Sequence, residues 1–329
     1  MSKDLKTSSE HSSVNMSHDE LVSEIRRLAR EKNAVIMAHY YVDGQVQDIA
    51  DFIGDSLALA QKAAETTADI IVLCGVHFMG ETAAILCPQK KVLVPDPTAT
   101  CSLAESCPAD EFARFVQQHP GHTVVSYVNT TAATKAVTDV VVTSSNAKQI
   151  VDSLPQEEPI IFGPDQNLGA YINSLTGRNM VLWPGACHVH ARFSVEKILE
   201  LKAEHPQAKV LVHPECKGAV VKLADKVGST AALLRFAIND EAQEFIVATE
   251  SGILHEMQKS APQKTFIPAP PDDSTCGCNE CEYMKLVTLE KVYRCLRDEQ
   301  PQVSVPADVA EKAIVPINRM LEISAKLGI

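Results

Sequence analysis

The sequence predicts an α/β protein built from three repeated layered units, and three observations carry that prediction. Short β-branched runs alternate with segments that place apolar residues at helical spacing, the alternation occurs three times with matched residues, and each copy closes on a cysteine. Copy one starts at AVIMAHYY, passes FIGDS and IIVLCG, and ends at Cys101. Copy two starts at TVVSYVN, passes VVTSSN and IIFGPDQ, and ends at Cys187, and copy three runs from KVLVHPE through KVGST and FIVATES to Cys281. A repeat on this scale marks repeated supersecondary units whose equivalent positions can converge on one centre.

Taken in order, SHDELVSEIRRLAREKN reads as a helix that leads into copy one. The runs AVIMAHYY, DIIVLCG and VLVP in copy one read as buried parallel strands, as do TVVSYV, PIIF and MVLW in copy two and KVLVH and EFIVA in copy three. SLALAQKAAE, NAKQIVDSL and STAALLRFAI read as helices opening on Ser or Asn, the residue types that cap free N–H groups. DEFARFVQQH, SVEKILELKAEH and LVTLEKVYRCLRDE read as helices leading out of each unit. The proline-rich IPAPPDDST cannot be helix or central strand. PADVAEKAIVPINRMLEISAKLGI reads as a terminal helix docked on the outside. Strands alternating with helices give layered α/β units. The expected boundaries are a flexible tail at 1–17, αβα units at 18–106, 107–190 and 191–300 holding Cys101, Cys187 and Cys281 respectively, and a helical segment at 301–329.

Composition is that of an ordinary globular chain, with 45% apolar and 22% charged residues. A net charge of −12 and no clustered basic face argue against a nucleic-acid partner. No stretch approaches the roughly 18 apolar residues of a membrane span, and the N-terminal residues lack the apolar core of a secretory signal. A cytoplasmic protein is expected, so its ten cysteines point to metal ligation or catalysis rather than to disulfides. Cys74, Cys87, Cys107, Cys216 and Cys295 are read as packing thiols.

The polar residues recur as well. His39, Tyr40 and Tyr41 close the first strand of copy one, Tyr127 and Asn129 that of copy two, and His213 and Glu215 that of copy three; hydroxyls follow about 17 residues later at Ser56, Ser144 and Ser229/Thr230. Strand ends are where open α/β sheets bind ligands, and helix starts carrying free N–H groups suit phosphate and carboxylate. The same hydroxyls also fit simple N-caps. The knuckle Cys278-Asn-Glu-Cys281, with Cys276 beside it, would on its own suit a structural zinc. The repeat instead nominates one thiolate per unit, and three thiolates on a [4Fe-4S] cluster leave one iron open for Lewis-acid work. A zinc-stabilised binding protein for a phosphorylated metabolite and an electron-transfer protein are the rival readings.

Taken together, AHYY with GDS, CGVHFMGETAAIL, ATCSLAESCP, YVNTTAATKA with TSSNA, FGPDQNLG, WPGACHVH, HPE, GST, and CNECEYM running into TLEKVY resemble quinolinate synthase, the A protein of de novo NAD biosynthesis, over residues 33 to 295. The resemblance implies three similar αβα sandwich domains in pseudo-threefold arrangement around one [4Fe-4S] cluster per chain. It implies condensation of iminoaspartate with dihydroxyacetone phosphate to quinolinate, phosphate and water, with an aspartate oxidase or dehydrogenase supplying the iminoaspartate. Motif by motif, it puts the cluster on Cys101, Cys187 and Cys281. It puts substrate binding on His39, Ser56, Tyr127, Val128, Asn129, Ser144, His190, His213, Pro214, Glu215, Ser229 and Thr230, and proton transfer on Tyr41 and Glu215, with His39 as a further catalytic candidate. Alignment by CEYM favours Cys281 over Cys278, and a histidine three residues after the cysteine favours His190 over His188. A regulatory disulfide between Cys276 and Cys278 is permitted by their spacing.

Overall fold

The computed structural model describes residues 16–272 and 279–329. Most of the expected tail at 1–17, and both Cys276 and Cys278, lie outside the described residues. Ser17, the last residue of that tail, is the cap of the helix His18–Glu31, where its hydroxyl and the Glu20 side chain form a reciprocal capping box.

Among the described residues twelve strands form three four-stranded sheets, all parallel. In the first, β1 (Ala34–His39), β2 (Phe52–Gly54), β3 (Ile70–Cys74) and β4 (Lys91–Leu93) stand in the order β2-β1-β3-β4. In the second, β5 (Thr123–Tyr127), β6 (Val140–Val142), β7 (Ile160–Gly163) and β8 (Val181–Leu182) stand in the order β6-β5-β7-β8. The third repeats the topology with β9 (Lys209–Val212), β10 (Lys226–Val227), β11 (Glu244–Ala248) and β12 (Thr265–Pro268), in the order β10-β9-β11-β12. Helices flank each sheet, so the chain is three similar αβα units. Parallel strands covered on both faces must be apolar along their length, which is why IIVLC, VVV and FIVA are buried throughout.

One side-chain contact recurs in all three units and fixes their register. Asp51, Asp139 and Asp225, each just before the unit's second strand, accept the N–H of Ile36, Val124 and Val210, 15 residues earlier, at 2.7–2.8 Å. Aligned on these pairs, His39, Tyr127 and His213 are equivalent, as are Tyr41, Asn129 and Glu215. Five residues past the aspartates stand Ser56, Ser144 and Thr230, so Thr230 rather than Ser229 is the third hydroxyl of the set.

The N-cap expectation needs correction in two of the three units. Asp55 caps the helix Ser56–Glu65 by accepting from Ala58 N, so Ser56 is the first helical residue and its hydroxyl is left for other work. In unit two Asn146 occupies the cap position but turns its Oδ1 back to Thr143 N at 2.6 Å, leaving Ser144 outside the cap. Only Ser229 caps as expected, accepting from Ala232 N at the start of Thr230–Asn239. Asp caps as well as Ser, and a cap one residue upstream frees the hydroxyl that follows.

The apolar core runs through the first two sheets and into one face of the third, with Ile36, Leu73, Phe162 and Phe245 among its residues. Val210, Val212 and Ile246 pack on the other face of the third sheet. The proline-rich segment starts as the edge strand β12, where Pro268 costs no central ladder bond. The helix Ala307–Leu327 packs on β6 and on the short helix Ala132–Lys135, burying Ala313, Ile317 and Met320. Among the described residues no helix is long and apolar enough to cross a membrane.

Candidate active site

The C-terminal ends of the first strands face a single cavity between the three units. Its wall includes Cys101, Cys187 and Cys281, one from each copy of the repeat. Cys74, Cys87, Cys107, Cys216 and Cys295 are buried free thiols, whereas these three are only partly buried, and none is in a disulfide. Cys101 and Cys281 each begin a short helix, Ser102–Glu105 and Glu282–Lys285. Burial pushes the Cys101 thiol up to about 12, partly offset by the N–H groups of Ala104 and Leu103, with Cys281 close enough to raise it further. Burial likewise raises Cys281 to about 11 and Cys187 well above its ordinary value. Thiols in this state keep their protons until a metal displaces them.

A continuous chain of hydrogen bonds crosses the cavity wall. Tyr41 Oη lies 2.6 Å from Thr230 Oγ1 and 2.7 Å from Thr249 Oγ1; Thr249 Oγ1 lies 2.9 Å from His190 Nε2. His190 Nδ1 in turn lies 3.2 Å from Glu215 Oε2 and 3.3 Å from Cys187 Sγ. Tyr127 Oη donates to Glu215 Oε1 at 2.6 Å, and the His213 ring stacks on His190 with centroids 4.6 Å apart. Burial works against the charge on Glu215, but His190, His213 and the Tyr127 hydroxyl outweigh it and hold the carboxyl below its ordinary value. Burial raises Tyr41 and Tyr127, so both phenols rest protonated, and it lowers His39 to about 4 and His213 to about 3, so both imidazoles rest neutral.

The sequence candidates divide cleanly. His39, Tyr41, Ser56, Tyr127, Asn129, Ser144, His190, His213, Glu215 and Thr230 all line the cavity with the three cysteines. Val128, Pro214 and Ser229 do not: Val128 lies behind the wall, and Pro214 and Ser229 face a separate outer hollow. Alternation along the chain turns each of them away from its inward-facing neighbour. His188 also borders the cavity but pairs with Ser102 Oγ at 2.5 Å, apart from the Glu215 network. Two buried polar atoms on the wall, Asn129 Oδ1 and Thr100 Oγ1, have no partner among the described residues. Such atoms suit a ligand that supplies the missing bond.

Thr249 joins the two halves of the network, yet the repeat gives no sign of it. It stands one residue beyond the third strand of unit three, where Gly75 and Pro164 occupy the equivalent places. Asp165, Glu250 and Lys285 are further buried or half-buried polar residues near the cysteines that carry no repeated motif.

The family described as "NadA: Quinolinate synthetase A protein" matches residues 23–322. Quinolinate synthase of Thermosynechococcus vestitus is 57% identical over 305 residues, covering 93% of this chain and 96% of that protein. Quinolinate synthase of Microcystis aeruginosa is 56% identical over 306 residues, with 93% and 96% covered. Quinolinate synthase of Chloroherpeton thalassium is 50% identical over 319 residues, with 97% and 99% covered.

Proposed function

The chain belongs to the quinolinate synthase family, and on that footing we propose that it is a transferase-type condensing and dehydrating enzyme of the cytoplasm, joining iminoaspartate and dihydroxyacetone phosphate into quinolinate with release of phosphate and water. The observation that carries this reading is the convergence of three thiols from three units on the cavity that Tyr41, His190 and Glu215, linked through Thr249, also line.

Three thiols facing one space, with no fourth cysteine on the wall among the described residues, fit a [4Fe-4S] cluster held by Cys101, Cys187 and Cys281. When bound, the cluster would supply an iron without a protein ligand, a Lewis acid for a substrate oxygen or nitrogen. The rest of the chemistry falls to side chains. With Glu215 charged and opposite His190 Nδ1, that nitrogen carries the proton and Nε2 accepts from Thr249, a tautomer assigned from the hydrogen bonds. Thr249 Oγ1 then accepts from Tyr41 Oη, so a proton leaving the phenol passes to Thr249 as Thr249 passes its own to His190. The resulting imidazolium faces the Glu215 carboxylate, which stabilises it. Tyr41 so activated takes a proton from a bound substrate and returns one to a leaving hydroxyl.

Ser56, Ser144 and Thr230, at one position per unit, hold the carboxylates and phosphate of the substrates, two of them from the first turn of a helix where N–H groups are free. Asn129 Oδ1, Tyr127, His39 and His213 complete the binding wall. Iminoaspartate comes from an aspartate oxidase or dehydrogenase. Anaerobic reconstitution tests the reading: about four irons per chain together with quinolinate formation is expected. Zinc in place of iron, with no turnover, would overturn it in favour of a binding protein.

A further inference from the structure

Each sheet offers one more equivalent position, two residues beyond the end of its third strand. There stand Val76 after β3, Asp165 after β7 and Glu250 after β11, in a register set by the pairs Ala38 with Cys74, Ser126 with Gly163 and Val212 with Ala248. Both acids are fully buried. Asp165 spans two backbone groups: Oδ1 accepts from Leu168 N at 2.7 Å and Oδ2 from Cys187 N at 3.1 Å. Glu250 repeats the arrangement, with Oε2 accepting from Gly252 N at 2.7 Å and Oε1 from Cys281 N at 3.1 Å. In both units one oxygen grips the turn at the strand end while the other grips the cysteine's own N–H.

Burying a carboxylate is expensive unless it is fully bonded, and the first unit shows that the fold does not demand one. With Val76 in place, no carboxylate at this position reaches the segment before Cys101; main chain joins it to the strand end, His77 N donating to Ala99 O at 2.7 Å, while Asp96 within the segment takes Thr98 N and Lys291 Nζ. The acids therefore answer a need of the second and third cysteine segments. Glu250 also receives Lys285 Nζ at 3.1 Å, and the same ammonium donates to Tyr41 O at 2.8 Å, so one carboxylate fixes both Cys281 and the backbone of the phenol.

We propose that Asp165 and Glu250 are positioning residues that lock the main chain of Cys187 and Cys281 to the strand ends and so set the spacing of the metal-binding thiols. This rests on the reading of Cys101, Cys187 and Cys281 as ligands of one centre. Groups that orient metal ligands typically cost about 10–100-fold in metal affinity when removed.

Asp165→Asn and Glu250→Gln keep shape but place an NH₂ against one of the two N–H donors. The wild type, the two variants and Asp139→Asn are reconstituted anaerobically with iron and sulfide, and the rate of iron release to a chelator is measured beside the melting temperature of each apoprotein. Asp139→Asn is the comparison because it weakens the same carboxylate-to-backbone bond at the far end of a sheet. We expect both site variants to release iron about 10–100 times faster than wild type, with Asp139→Asn releasing it at the wild-type rate. Wild-type release in both site variants, or equal acceleration in Asp139→Asn, overturns the inference. Asp165 also caps the helix Gln166–Thr176; if Asp165→Asn does not fold, Glu250→Gln, whose second oxygen serves only the Gly252 turn, decides the outcome. A wild-type chain that takes up no iron overturns the reading of the centre as well, and that failure shows before any substitution is made.

Discussion

Replacing Thr249 by valine removes one hydroxyl while keeping the branched shape, and it cuts the chain of hydrogen bonds at its middle. Thr249 Oγ1 is 2.7 Å from Tyr41 Oη and 2.9 Å from His190 Nε2, in a position 2% exposed, where solvent does not take its place. Tyr41 keeps its bond to Thr230, but His190 Nε2 loses its partner. Leaving one buried acceptor unsatisfied costs about 1–3 kcal/mol, so the apoprotein should unfold at lower urea concentration without losing its fold. The catalytic effect should be larger. Without an acceptor between phenol and imidazole, the proton has no route from Tyr41 to His190, and loss of general acid–base assistance lowers turnover by about 10²- to 10⁴-fold. Thr249→Ser restores the hydroxyl and should restore most of the rate. The assay is anaerobic quinolinate formation, with iron content measured on the same sample. A Thr249→Val enzyme with a full iron complement that turns over as fast as the wild type would refute the relay.

The repeated hydroxyls separate by kinetics: Ser56→Ala and Ser144→Ala should raise KM by about 10-fold with kcat little changed. Thr230→Val should lower kcat as well, because Thr230 also holds Tyr41. Cys101→Ser, Cys187→Ser and Cys281→Ser should each abolish iron binding, since a hydroxyl is a poor substitute for thiolate on iron, whereas Cys74→Ser and Cys295→Ser, which alter core thiols, should keep it; iron analysis reads both groups. Acid should destabilise the apoprotein in a defined window. Burial holds His39 neutral down to about 4 and His213 to about 3, while the unfolded chain takes up these protons near 6.5. Between those values the unfolded state binds more protons, so stability falls as pH drops, by up to about 1.4 kcal/mol per pH unit per histidine. Urea unfolding of His39→Asn across that range should show a shallower slope; an unchanged slope would mean that His39 is charged in the fold.

Much of the architecture was legible because parallel strands covered on both faces must be apolar and short, and three such runs stand out in each of the first two copies and two in the third. The aspartates at 51, 139 and 225 sharpen that register, and they sit in plain view in DFIGDS, DVVVTS and DKVGST. What the spacing does not contain is direction. Ser229 and Thr230 are neighbours in the chain, but one caps a helix toward the outside and the other faces the cavity. Thr249 was illegible for a different reason: its partners Tyr41 and His190 lie 208 and 59 residues away, and its equivalents are glycine and proline. Asp165 and Glu250 differ in length and answer to a valine in the first unit, so no motif repeats.

The positions that stayed alike and those that diverged explain one another. Ser56, Ser144 and Thr230 remain hydroxyls in all three units, and all three line the cavity where the units meet. At the first-strand ends the same fold presents His39, Tyr127 and His213, and two residues on, Tyr41, Asn129 and Glu215. A threefold site of identical residues would offer three equal groups at equal distance from the centre, and could neither hold one substrate in a single orientation nor keep a donor and an acceptor apart. Divergence sets a phenol whose pKa burial raises against a carboxylate whose pKa its histidines lower, joined by Thr249 and His190. Groups pushed apart in this way divide acid from base. Repetition supplies three converging arms for the thiols, and in the proposed reaction the asymmetry between the arms would give the chemistry its direction.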